Sequence, residues 1–137
     1  MNRVDTEKIL PLGDISIRQF YRKYVELMQP LLKLRDREID VFAEMLYYNY
    51  LKRDTKDVVD RMTLVFNIAT RRSIQQHLKV SNIVIQQALG SLRKNRGSED
   101  HPFYLIKGIK INEAFIVYPE KEFKMSFKFK ITEDEHQ

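Results

Sequence analysis

The spacing of apolar residues between Thr70 and Asn95 is the feature that most constrains how this chain folds. Ile74 and Leu78 are four residues apart, as on one face of a short helix, and Val80 follows at a turn. The apolar stripe of a second helix consists of Ile85, Ala88, Leu89 and Leu92. Ser81 stands where an N-cap hydroxyl would accept a hydrogen bond from the first amides of that second helix. The pattern predicts two helices packed at a steep angle through a tight turn, with the outer face of the second left uncovered.

This stretch resembles the helix-turn-helix of bacterial and phage DNA-binding proteins. The shared pattern is Ile-x-x-x-Leu-x-Val-Ser, three residues, then Ile-x-x-Ala-Leu-x-x-Leu-Arg-Lys. Together with the β-rich runs that follow, residues 35–119 resemble a winged helix-turn-helix domain. The resemblance implies a mainly α fold with a small antiparallel β element, and docking on double-stranded DNA. Lys79 stands where the family commonly has glycine, so this turn must accept a Cβ at some cost in strain.

The positive charge of the chain is concentrated around the same stretch. The formal net charge is +5. Residues 69–97 contain no acidic side chain, whereas basic and acidic residues are nearly balanced on either side. The basic residues of this window are Arg71, Arg72, Lys79, Arg93, Lys94 and Arg96. A localised basic patch indicates a polyanion as the partner, although a solvated basic face is the plain alternative.

The resemblance places the second helix in the major groove, which assigns roles to particular residues. The candidates for contact with base edges are Ser81, Asn82, Ile83, Gln86 and Gln87. The candidates for contact with phosphates are Arg71, Arg72, Ser73, Arg93, Lys94 and Arg96. Lys107 and Lys110 belong to the candidate wing, with an ordinary hairpin bearing solvated lysines as the equal alternative. Gly90 is unusual in mid-helix and suggests a close approach of the backbone to a phosphate or to another helix.

Three further helices are predicted before this stretch. The first starts at an N-cap, Asp14 or Ser16, and runs to about residue 33, with Pro30 expected to stop or kink it. The second covers about residues 36–52 and the third about residues 56–68. The second carries a wide aromatic face, which indicates either the core or a contact with a second subunit. Its acidic residues, Asp36, Glu38, Asp40 and Glu44, are interpreted as solvated helix faces.

The C-terminal part is predicted to be β-rich. Residues 103–118 form two β-rich runs separated by Asn112 and Glu113. From Glu122 to Ile131 apolar and polar residues alternate strictly, which predicts a strand. Its lysine row either covers a small sheet, blunts an edge, or accompanies pairing with the same strand of another subunit. The expected organisation is an N-terminal arm and helix (1–34), the winged helix-turn-helix domain (35–119), and a C-terminal strand with an acidic tail (120–137).

Several classes of protein are disfavoured by the sequence. It shows no secretory signal, no membrane-spanning run and no cysteine, which predicts a cytoplasmic location, or the host cytoplasm or virion for a phage-encoded protein. The three histidines, His77, His101 and His136, are scattered and show no metal-ligand spacing. No phosphate-binding loop, nucleophile elbow or paired-carboxylate signature is present, so we expect neither an enzyme nor a cofactor or metal site.

Two functions are compatible with these features. The first is a sequence-specific transcriptional regulator that binds DNA as a homodimer through its aromatic N-terminal helices. The second is a phage structural or DNA-packaging component, similar to a small terminase or a virion ring protein, which would use the helix-turn-helix for assembly.

Overall fold

A computed structural model describes residues 7–134, which contain six α-helices and one short antiparallel hairpin. The helices are α1 (Ile17–Leu27), α2 (Gln29–Leu32), α3 (Asp36–Leu51), α4 (Val58–Val65), α5 (Ile68–Leu78) and α6 (Asn82–Leu92). The hairpin strands are β1 (Ile106–Lys107) and β2 (Lys110–Ile111), and one turn of 3-10 helix follows at Glu113–Phe115. None of the described helices is long and apolar enough to cross a membrane. The order of these helices and strands confirms the predicted mainly α architecture with a small antiparallel β element.

The N-terminal helices form where the capping and proline signals predict them. The Ser16 hydroxyl accepts a hydrogen bond from the Gln19 amide, and the Gln19 side chain accepts one from the Ser16 amide, which closes a capping box at the start of α1. The expected interruption lies at Met28, where α1 ends and α2 begins with Pro30 in its first turn. Proline fits there because first-turn amides have no partner within a helix.

The two helices expected from the apolar spacing, α5 and α6, are present and joined by a tight turn. Asn67 caps α5 by accepting a hydrogen bond from the Thr70 amide at 2.8 Å, so this helix begins two residues before Thr70. Lys79 ends α5 in the left-handed conformation, with φ 58° and ψ 48°. The Ser81 hydroxyl accepts from the Val84 amide at 3.4 Å and caps α6, as predicted.

Helix α3 lies at the centre of a single core. It packs against α1, α4, α5 and α6, and both Phe42 and Leu46 are fully buried. The residues that α5 and α6 bury in this core include Ile74, Ile85, Ala88, Leu89 and Leu92, which are those expected from their spacing. The aromatic face of α3 is covered by the chain itself, since rings of α1 and of the C-terminal part pack on it. Homodimer formation through that face stays a prediction.

Glu44 corrects the interpretation of the α3 carboxylates as solvated. Glu44 is only 5% exposed. The Arg18 guanidinium of α1 donates to both of its carboxylate oxygens, and the distance from Arg18 Nε to Glu44 Oε2 is 2.9 Å. Arg18 also lies over the ring of Tyr47, 4.9 Å from its centroid. The hydrogen bond with Glu44 raises the pKa of Arg18, against the effect of its partial burial. A bidentate pair satisfies the buried carboxylate, which would otherwise be costly to desolvate.

A polar network around Arg61 joins α3 to α4 and to the C-terminal segment, which comprises residues 115–134. Arg61 donates from Nε to the Asn49 side-chain oxygen at 3.0 Å and from Nη1 to the Thr55 carbonyl at 2.9 Å. The Asn49 amide group in turn donates to the Tyr118 hydroxyl at 3.2 Å. Both Asn49 and Arg61 are buried, so these hydrogen bonds are what makes their burial tolerable.

The β-rich predictions are correct only in part. The hairpin lies entirely inside the first run, with Gly108 and Ile109 at its turn, and the second run forms a 3-10 turn and irregular backbone. The predicted strand over 122–131 is wrong, because residues 119–134 have no regular secondary structure. A strand needs a neighbour for its backbone hydrogen bonds, and the sheet in the described residues consists of β1 and β2 alone and does not include this segment.

The C-terminal segment is nevertheless anchored to α1 at its beginning. The Tyr21 hydroxyl donates to the Val117 carbonyl at 2.6 Å, and the Tyr24 hydroxyl donates to the Phe115 carbonyl at 3.0 Å. The Phe123 ring then packs edge-on against Phe20, with centroids 4.9 Å apart. Burial together with neighbouring tyrosines raises the pKa of Tyr21, so its phenol remains a donor at all ordinary pH values. The segment therefore follows α1 before its apolar side chains become exposed.

The strained turn between α5 and α6 gives a stability prediction. Because Lys79 adopts a left-handed conformation that disfavours a Cβ, Lys79→Gly should raise the free energy of unfolding by about 1 kcal/mol. Urea denaturation followed by far-UV circular dichroism measures the change. Lys79→Ala is the matched control, since it removes the same charge and keeps the Cβ. Equal stability of the glycine and alanine variants would contradict the assignment of strain to this turn.

Candidate nucleic-acid interface

The outer face of α6 is uncovered, as the apolar spacing of the sequence requires. Ser81, Asn82, Ile83, Gln86 and Gln87, which are the candidates for base contact, are all exposed. Ile85, on the opposite side of the same helix, is completely buried. Among the contacts of the described residues, Ser81 alone of these five has a structural role, as the cap of α6. The structure thus places the five residues together on the free face of α6, at its N-cap and in its first two turns.

Ile83 is the unusual member of this group. It is 67% exposed, although isoleucine is among the residues most often buried in protein interiors. No contact within the described part of the chain explains it. An apolar side chain between Asn82 and Gln86 suits a surface that a partner covers.

Basic side chains lie at both ends of this helix pair. Arg72 and Ser73 are exposed in the first half of α5, and Arg71 beside them is half-buried. Lys94 is exposed just after the end of α6. Because no acidic residue occurs between residues 69 and 97, no neighbour in sequence neutralises these charges. The arrangement has the sign and the accessibility that contacts with an anionic backbone need.

Arg93 connects α6 to the hairpin. Its Nε donates to the Gly108 carbonyl at the hairpin turn at 2.8 Å, and its guanidinium lies 5.7 Å from the centre of the Phe66 ring. Partial burial and the positive charge of Arg71 lower the pKa of Arg93. Two cations are therefore held near each other at the junction of α5, α6 and the hairpin, where a bound anion would relieve their repulsion.

The hairpin presents a second pair of like charges. Lys107 and Lys110 stand directly opposite each other across the two strands, and both are exposed. Gly108 has φ +62° at the first turn position and Ile109 has no positive φ, which is the pattern of a type II′ turn. Lys107 lies 5.3 Å from the centre of the Tyr104 ring. Like charges directly opposite on a hairpin are unfavourable in isolation, so this pair also suits an anionic partner.

Arg96 is placed differently from the other candidates for phosphate contact. It is half-buried, its Nη2 donates to the Ser91 carbonyl at 3.1 Å, and its Nε is buried without a hydrogen-bond partner in the described part of the chain. It lies close enough to Glu38 to influence that carboxyl. Burial raises the pKa of Glu38, but hydrogen bonds from the Arg35 amide and the Ser91 hydroxyl, with the charge of Arg96, lower it overall. Arg96 therefore acts inside the fold, between α6 and α3.

Sequence reasoning found the free face but not the side chains that fix its surroundings. Nothing in the spacing of residues indicated that Arg93 would hold the hairpin, or that Arg96 would be half-buried and donate to the Ser91 carbonyl. In the sequence, a basic residue after a helix looks the same whether it faces solvent or a carbonyl. Among residues 7–134 no group of three histidine or acidic side chains is arranged to hold a metal ion. His77 is exposed, with Nε2 at 4.0 Å from the Glu44 carboxylate.

Gly90 gives the second stability prediction. A Cβ built on Gly90 would meet no described atom within 4 Å, so no helix approaches the backbone there. Gly90→Ala should therefore raise the free energy of unfolding by about 0.5–1 kcal/mol, because alanine loses less backbone entropy in a helix. Thermal or urea unfolding measures this change. Gly108→Ala is the contrasting control, and should be destabilising because Gly108 has φ +62°. Loss of stability in Gly90→Ala would show that the helix has a neighbour at this position.

No protein-family model matches the chain, and no curated protein and no solved structure is detectably similar to it. What can be said of its function therefore depends on the geometry of the α5–α6 pair, the hairpin and their charges.

Proposed function

We propose that this protein is a winged helix-turn-helix that binds double-stranded DNA, with α6 in the major groove. The observation that carries the proposal is the outer face of α6, which is exposed, free of acidic residues and flanked by basic side chains. The most common use of such a domain is sequence-specific regulation of transcription, and this is the function we favour.

The residue types on this face suit base edges. Asparagine and glutamine can each form two hydrogen bonds with adenine in the major groove, and an aliphatic side chain can contact the methyl group of thymine. Asn82, Gln86 and Gln87 supply the amides, and Ile83 supplies the exposed aliphatic group. This explains why an isoleucine stands where solvent would favour a polar residue.

The surrounding charges suit phosphates on both sides of the groove. Arg71 and Arg72 lie in the first half of α5, Lys94 follows α6, and Lys107 and Lys110 lie on the hairpin. Contacts of this kind fix the register of a protein on the duplex without reading its sequence. Arg93 has a different role in the proposal: through the Gly108 carbonyl it positions the hairpin beside α6, so that both can reach the same duplex.

The contribution of phosphate contacts is tested with Arg72→Ala/Lys94→Ala. Removing two such contacts should reduce the slope of log K against log salt by about 2 and weaken binding roughly tenfold or more, equally for all duplex sequences. Fluorescence anisotropy with random duplexes at several salt concentrations measures both. Lys23→Ala/Lys33→Ala removes the same charge from the α1–α2 region and should change little. Equal effects of the two double variants would mean that net charge, and not this surface, attracts DNA.

The reading of bases is tested separately with Gln86→Ala/Gln87→Ala. On a duplex obtained by selection from a random pool, this variant should lose about 1–3 kcal/mol of discrimination for each base pair that was read, with an unchanged salt slope. Arg72→Ala/Lys94→Ala is the control, because it should weaken binding without altering sequence preference. If no sequence is enriched by selection, or if the wild-type chain does not bind duplexes at all, the face of α6 serves a protein partner instead.

A further inference from the structure

The segment from Glu120 to Ile131 combines a strong strand pattern with the absence of a strand. From Glu122 onward its apolar side chains alternate strictly with polar ones, yet it has no regular secondary structure. Phe123 and Met125 are partly covered by α1 and its surroundings. Beyond them Phe127, Phe129 and Ile131 are 54%, 82% and 88% exposed. Three large apolar side chains in succession on one side of a free segment are a surface that needs a partner.

The charges of the segment indicate which partner fits. In an antiparallel pair of two identical segments, the central residue lies opposite its own copy in the other segment. The choice of this central residue fixes which residues lie opposite each other along the rest of the pair. With Met125 at the centre, Glu120 is opposite Lys130 and Glu122 is opposite Lys128, each twice by symmetry. Lys124 is then opposite Ser126, so no two like charges face each other.

Neighbouring registers lack this complementarity. Centring the pair on Ser126 places Lys124 opposite Lys128, and centring it on Phe127 places Lys124 opposite Lys130. Each of these brings two lysines together twice, which is unfavourable in a strand pair. A parallel pair in register would place every lysine opposite its own copy. With acidic residues at the beginning and lysines at the end, the register centred on Met125 gives the largest number of opposite-charge pairs, and it is therefore the favoured one.

The apolar side of the same register also continues the existing packing. Phe127 is opposite Phe123 of the partner subunit, which in that subunit packs against Phe20 and Tyr24 of α1. The pair would therefore extend the aromatic contacts of each α1 across the symmetry axis. This matters because an isolated two-stranded ribbon is only marginally stable in water and needs an apolar face packed on something else. Pro119 precedes the segment, where the missing amide removes no hydrogen bond of the pair.

From these observations we propose that residues 120–130 form an antiparallel strand pair with a second copy of this chain, centred on Met125, and so make the protein a two-fold homodimer. The proposal does not depend on DNA binding, and its test contains no DNA. It assigns the dimer contact to the C-terminal segment, whereas the aromatic rings of α1 and α3 serve the core.

Sedimentation equilibrium of the full chain should give twice the mass of 16.5 kDa. Glu122→Lys alone and Lys128→Glu alone each create two like-charge pairs and should raise the dimer dissociation constant roughly tenfold. Combining them restores the opposite charges in exchanged positions and should restore dimer formation. These residues are exposed, so circular dichroism should show an unchanged fold in all three variants. A monomer at all concentrations, an assembly of more than two copies, or a dimer indifferent to the exchanges would overturn the proposal.

Cross-linking tests the register directly, because the chain has no cysteine. Met125→Cys places two thiols at the centre of the pair, where directly opposite Cα atoms are about 4.5–5.5 Å apart, and mild oxidation should join the subunits. Ile131→Cys is the control, because Ile131 forms no charge pair in this register. Its two copies would lie about 40 Å apart along the ribbon and should remain reduced. Cross-linking of both variants at similar rates, or of Ile131→Cys alone, would exclude this register.

Discussion

The burial of α3 against four other helices is the constraint on which the rest of the structure depends. With Phe42 and Leu46 fully buried, α3 provides the apolar surface that α1, α4, α5 and α6 share. An α5–α6 pair alone is too small to bury its own apolar stripe, so its geometry is set by the helix beneath it. Two carboxylates of α3 also bind neighbouring helices. Glu38 accepts a hydrogen bond from Ser91 of α6, and Glu44 accepts one from Arg18 of α1. One face of α6 packs against α3, and the opposite face is left exposed.

The repulsion between basic side chains around the hairpin also favours an anionic partner. Burial and the charge of Arg71 lower the pKa of Arg93, and Lys107 faces Lys110 on the hairpin. Such pairs of like charges are unfavourable in the free protein. A negatively charged ligand is stabilised by both cations of a pair at once. A merely solvated basic surface would gain more by spreading its charges apart.

The helices could be predicted from the sequence because their signals are local. The caps at Ser16 and Ser81, the break before Pro30 and the apolar spacing of Ile85 and Leu92 each act within a few residues, and all are confirmed. The β predictions depended on distant partners and were correct only in part. The roles of Arg93, Arg96 and the Arg61–Asn49 network could not be inferred, because a basic residue that binds a carbonyl has no local pattern that distinguishes it from one that faces solvent.

The C-terminal segment shows why a strong strand pattern can be right about preference and wrong about the structure of one chain. Alternation records which side chains would share a face, but the backbone must also find a partner for its amides and carbonyls. Among residues 7–134 of one chain no strand pairs with this segment, and a second copy would supply such a partner with matching charges. The consequence for DNA concerns geometry. A two-fold axis through Met125 would relate two copies of α6, and two-fold helix-turn-helix dimers in general bind inverted half-sites separated by about 34–36 Å or a multiple of that distance. A protein that bound DNA as a monomer would show no such preference for inverted sites, so the spacing of selected sequences connects the two proposals without making either depend on the other.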